Sequence, residues 1–163
     1  MTDLIAPILD ALLASVGEHL VPDVGRLELA PGGQVAWDDC CDGQAWVRVA
    51  TIVPANTNAS AAAQARCGPT GWHVSLGVGV LRCVSTVNDQ GVAPSVGQLK
   101  DDTHQMTKDA EALKQAILCL DYEGLTMGGT RPNITSWTPL GPDGGCAGGE
   151  WYLSVRVDNC PCP

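Results

Sequence analysis

The sequence predicts an α+β fold: a mainly antiparallel sheet packed by an N-terminal helix and by a second helix near 102–120. Trp72, Val74, Leu76, Val78 and Val80 fall on every second residue, with His73, Ser75, Gly77 and Gly79 between them. That is the period of a strand with one face on a core. Leu4, Ile5, Ile8, Leu9, Leu12, Leu13, Val16 and Leu20 instead keep the period of a helix, as do Met106, Ala110, Leu113, Ile117 and Leu120. The second face of the Trp72–Cys83 strand is nearly bare. Glycines there let another backbone or helix approach closely, which predicts a central strand covered on both sides.

Taken in order, Thr2 is expected to cap the first helix, with Pro7 in its first turn, where a missing amide does least harm. The apolar stripe is wider than one sheet requires, so part of it is expected to meet a second helix or another subunit. Gly17 weakens the last turns and Pro22 ends them. Arg26 to Leu29 reads as a short strand before the Pro-Gly-Gly turn at 31–33. Val35 to Trp37 and the compact Asp38–Gly43 follow. Ala45 to Val53 (AWVRVATIV) is the second strong strand, stopped by Pro54.

Asn56 to Arg66 is small, polar and alanine-rich, and reads as a loop or short marginal helix. Cys67 to Gly71 turns the chain into the central strand. Asn88 to Gln98 reads as a crossing loop, after which Asp101, Asp102 and Thr103 supply caps and negative charge for the second helix. Cys119 points away from that helix's apolar arc and is expected to meet another element. Glu123 to Pro132 is the best candidate for a flexible loop. Trp137 to Gly149 looks too rich in Gly and Pro for a regular element. Trp151 to Val157 alternates again as the last strand. The predicted order is α-β-β-β-α-β, within a single domain spanning 1–163 and without an internal repeat.

The totals narrow the function. At 163 residues the chain can bury a genuine core, and with five Trp, two Tyr and no Phe that core must come from Val, Leu, Ile and Ala. Eighteen acidic against nine basic residues give a net charge of -9, which repels phosphate backbones and argues against general nucleic-acid binding. Such a surface serves solubility. In a ring of several copies it would also line a passage through which DNA slides without sticking. No apolar run is long enough to span a membrane. The first ten residues carry acids where a secretory leader carries positive charge, so the chain is expected to stay in the cytoplasm until assembly or release.

Eight cysteines stand against that compartment: Cys40, Cys41, Cys67, Cys83, Cys119, Cys146, Cys160 and Cys162. Cytoplasmic thiols stay reduced, whereas an even number in a secreted chain suggests a disulfide frame. A particle assembled inside a cell that works outside it reconciles the two. Zinc at Cys40/Cys41 with Cys160/Cys162 is disfavoured, because structural zinc ligands pair about two to four residues apart. Structural cysteines and no metal are expected. If the strong strands run antiparallel, Cys67 lies near Cys160 or Cys162, and Cys41 or Cys146 lies near Cys83.

Gly141–Gly149 lacks the Gly-Lys-Ser/Thr ending of a phosphate loop and precedes a strand. His19, His73 and His104 sit on separate elements with no Cys-His or Ser-His motif. Asp38, Asp39 and Asp42 do not make a calcium loop. No catalytic residue, no cofactor and no enzymatic activity is therefore expected. Trp37, Trp46, Trp72 and Trp151 sit at or near strand starts and Trp137 in the long loop. Of these, Trp37, Trp137 and Trp151 are the candidate interface anchors.

The segments WDDCCDGQAWVRV (37–49), GVGVLRC (77–83) and WTPLGPDGGCAGGEWYLSVRVDNC (137–160), in this order, resemble the small neck proteins of actinobacteriophages, the head-to-tail connector or tail terminator proteins. The resemblance implies a tail-terminator-like α+β fold and a non-enzymatic virion protein. It implies a homo-oligomer, a hexameric ring at the head–tail joint that caps the tail tube and docks it to the head connector or stopper proteins. DNA would pass through the lumen without specific binding. A disulfide-framed extracellular binding module is the alternative. A small hydrolase is a third reading, which requires Asp, His and Ser or Cys to converge.

Overall fold

The computed structural model describes residues 3–37, 40–55, 71–126 and 129–158. Among these the chain runs α1 (Ala6–His19), β1 (Arg26–Leu29), β2 (Gln44–Pro54), β3 (Gly71–Cys83), α2 (Val96–Cys119), β4 (Asn133–Asp143) and β5 (Cys146–Asp158). The five strands form one sheet in the order β1-β2-β3-β5-β4. β1 pairs parallel with β2, and the other three pairings are antiparallel. The fold is α+β, with β3 at the centre of the sheet. Its two edges are the four-residue β1 and the proline-bearing β4.

One face of the sheet carries the main core. Ile8, Leu12 and Val16 of α1 and Leu113, Ala116 and Ile117 of α2 pack on Val47, Val74, Leu76, Val78, Val80 and Leu153. The width of the α1 stripe has a local reason: the buried Ser15 hydroxyl donates to the Ala116 carbonyl at 2.9 Å, so α1 meets α2 as well as the sheet. Pro7 lies in the first turn, and the Asp3 carboxylate accepts from the amides of Ile5 and Ala6. The cap expected at Thr2 lies outside the described residues, as do the expectations for Asn56–Arg66 and for Cys67–Thr70.

Three expectations are corrected. α2 begins at Val96, not near 102. Ser95 and Gln98 form a capping box, each side chain meeting the other's backbone amide, and Asp101, Asp102 and Thr103 lie inside the helix. Trp137–Gly149 is regular: it forms most of β4, a tight turn at Gly144 and Gly145, and the start of β5. Pro139 and Pro142 are tolerated because β4 is an edge and its ladder slips between Leu140 and Asp143. The order is therefore α-β-β-β-α-β-β, with Trp137 on a strand instead of in a loop. Cys119 is exposed and free, meeting Gln115 of its own helix instead of another element.

Among the described residues no helix covers the bare face of β3. Side chains from β2 and β5 lie flat across its glycines, and a small second core of Ala30, Cys40, Trp46, Leu81 and Cys146 forms there with Val35, Trp37 and Leu140. A Cβ at Gly79 would collide with the Trp46 indole, and one at Gly77 with the Glu150 carboxylate. The glycines do permit close approach, but of neighbouring side chains.

Candidate functional site

The sheet register explains the cluster on this second face. Trp46, Gly79 and Glu150 are in line across β2, β3 and β5, as are Arg48, Gly77 and Tyr152. With no side chain on β3 between them, the flanking residues reach each other. The Arg48 guanidinium donates from Nε and Nη2 to the two oxygens of Glu150, both at 2.7 Å. The Trp46 indole donates to Glu150 Oε1 at 2.8 Å, and Arg48 Nη2 also reaches the Tyr152 hydroxyl at 3.0 Å. All of Trp46, Arg48 and Glu150 are buried.

Burial pushes the Glu150 carboxyl up, but the bonds from Arg48, Trp46 and Tyr152 together hold it below the ordinary carboxylate range. Glu150 in turn raises Arg48 and Tyr152 above their usual values. A bidentate pair of this kind offers neither a free base nor a free acid. It fixes the floor of a recess of about 360 Å³ whose walls include Val35, Trp37, Trp46, Leu140 and Tyr152. An aromatic-walled recess with a committed ion pair suits an inserted side chain better than proton transfer.

Of the expected interface anchors, Trp37 is half-buried and borders that recess. Trp137 and Trp151 lie on the helix face, register partners with ring centroids 5.5 Å apart. Trp151 also donates to the Ala110 carbonyl of α2 at 2.7 Å, and the Trp137 ring covers Gly149. Both close the open side of the core beside β4. The three histidines stay on α1, β3 and α2, and His19 bonds the Ser15 carbonyl of its own helix.

Four cysteines meet at one end of the sheet. Cys40–Cys146 and Cys41–Cys83 are disulfides, with Cα separations of 5.8 Å and 4.4 Å, and Cys83 and Cys146 are register neighbours on β3 and β5. Both Cys41 and Cys146 thus lie beside Cys83, as antiparallel strands require. Cys67, Cys160 and Cys162 lie outside the described residues, and Cys119 is corrected to a free thiol.

The remaining feature is exposed apolar surface, which includes Val21, Ile52, Val53 and Leu118 as well as residues of β1 and of the approach to α2. Leu27 and Leu29 stand on edge strand β1, 38% and 39% exposed, while Val87 and Val92 in the segment before α2 and Val96 and Leu99 in its first turns are between 49% and 85% exposed. Neither the Arg48–Glu150 pair nor the exposed residues at the start of α2 were evident from the sequence. The available signals were Arg48 between apolar neighbours in β2, Glu150 just before the alternating Trp151–Val157, and Val92 and Val96 within the stretch Asn88–Gln98 read as a loop. No protein-family model matches the chain, and no curated protein matches its sequence.

Proposed function

We propose that this chain is a structural virion protein of a tailed bacteriophage, packing beside copies of itself into a ring at the head–tail joint. The observation that carries the reading is apolar side chains left exposed on two unlike elements, the open β1 edge (Leu27, Leu29) and the start of α2 (Val96, Leu99). A head-to-tail contact joins two different surfaces, and with the right rotation it closes into a cyclic assembly. The three cysteine- and tryptophan-bearing segments that resemble phage neck proteins support the same reading, with six copies as the expected number. The ring presents one face to the tail tube protein and the other to the head connector or stopper. The net charge of -9 suits a lumen that DNA crosses without adhering.

Light scattering after size exclusion, over a range of concentrations, tests the contact. A closed oligomer is expected, and Leu29→Glu or Val96→Glu should each reduce it to a folded monomer. An oligomer untouched by both changes, or a monomer at every concentration with the tail tube protein present, contradicts the reading. The two disulfides lend weaker support to a second one, an extracellular binding module; a ring docked on the tail tube removes it.

A further inference from the structure

The four cysteines at the end of the sheet are held together by more than their sulfurs. The Cys40 carbonyl accepts from the amides of Cys83, at 2.9 Å, and Gly43, at 3.0 Å, and the Gly145 carbonyl accepts from Val84 at 2.8 Å. Cys83 and Cys146 are also fixed opposite each other by the long β3–β5 ladder. These backbone bonds tie the segments together independently of the disulfides. The Sγ atoms of Cys40, Cys41 and Cys83 lie within 4.8 Å of one another, and Cys146 is bonded to Cys40. Tetrahedral zinc with thiolate bonds of about 2.3 Å needs sulfurs about 3.8 Å apart, within the 4.8 Å that spans Cys40, Cys41 and Cys83. Cys40 and Cys146 are buried, whereas Cys41 and Cys83 are exposed, so an ion and a reductant can reach the cluster from solvent.

We infer that the reduced protein binds one zinc ion through Cys40, Cys41, Cys83 and Cys146, and that the two disulfides are the oxidised form of the same site. These are not the Cys40/Cys41 with Cys160/Cys162 of the sequence pattern; the sheet brings together a different four. Reduction by a dithiol such as a thioredoxin-type protein transfers two electrons and two protons to each disulfide and leaves the reductant as a disulfide. The four thiols then release four protons as Zn²⁺ binds, giving a tetrathiolate of charge -2. Oxidation by a small-molecule disulfide such as oxidised glutathione runs the other way: four electrons leave the thiolates, two S–S bonds form and the zinc is released. Soft thiolate ligands select zinc over the hard cations, and proton release makes the affinity fall in acid.

The full chain, reduced with a trialkylphosphine under anaerobic conditions, is dialysed against zinc sulfate and then desalted. One equivalent of zinc is expected by elemental analysis. Iodoacetamide footprinting of the same sample should show Cys40, Cys41, Cys83 and Cys146 protected by zinc while Cys119 reacts. Because this footprint uses the unaltered protein, it does not depend on any variant folding. The Cys67→Ser, Cys160→Ser, Cys162→Ser triple variant should retain the ion, and Cys41→Ser with Cys83→Ser should lose it. Less than a tenth of an equivalent of zinc, an unprotected cluster, or loss of zinc in the triple variant overturns the assignment.

Discussion

Arg48 and Glu150 stand on strands that do not touch, and they are joined across β3 by two bonds of 2.7 Å that pass over Gly77. The pair exists because the central strand has no side chain there. It also fixes the pairing of three strands at once, since a slip of one residue would carry either partner to the opposite face. The recess floor and the sheet register therefore depend on the same contact.

Removing one partner leaves a buried charge unpaired. Glu150→Gln is expected to cost about 3–5 kcal/mol of folding stability. The Arg48→Met, Glu150→Leu double variant should lose less than the sum of its single changes, because neither charge remains. Urea denaturation of the natural protein, Glu150→Gln, the two single changes Arg48→Met and Glu150→Leu, and their double variant checks this.

The same carboxyl sets an acid dependence. Its folded value lies below the ordinary one, so its contribution is fully present above the unfolded value of about 4.3 and is lost as pH falls through the folded value. Stability measured between about pH 5 and pH 2 should fall more steeply in the natural protein than in Glu150→Gln. Parallel slopes would mean that the pair does not couple to folding.

Two glycines should behave oppositely. Gly79→Ala forces a methyl into the Trp46 ring and is expected to cost about 1–3 kcal/mol. Gly33 has open space at its Cβ and no left-handed backbone, so Gly33→Ala is expected to be neutral or to stabilise by up to about 1 kcal/mol. Thermal or urea unfolding of both variants separates the packing effect from the backbone effect.

Ser95→Ala removes the cap that starts α2 and should cost about 1 kcal/mol, with Thr103→Ala costing less. Thr103 only returns a bond to the Leu99 carbonyl within the helix. Equal losses would place the start of the helix nearer 102.

These cases also show how far the residues could be read in advance. The alternation of Val74, Leu76, Val78 and Val80 and the 3.6-residue stripes are local periodicities, so β3 and both helices were legible. The proximity of Cys41 and Cys146 to Cys83 followed from antiparallel pairing alone. β4 was not legible, because Pro139 and Pro142 are strand breakers unless the strand is an edge, and edge position is a tertiary fact. The start of α2 was hidden by the exposed Val96 and Gly97, which give no apolar period, although Ser95 and Gln98 carried the capping signal. The Arg48–Glu150 pair was hidden because 102 residues separate its members. Only the sheet order brings them together over a glycine.

The central claim is that this unit works by fitting beside copies of itself at the joint of a viral particle. Electron microscopy of phage particles carrying the protein, labelled with an antibody raised against the chain, tests it most directly. The account predicts label confined to the junction of head and tail, over a ring-shaped density of repeated copies. Label elsewhere on the particle, or particles complete without the chain, would contradict it.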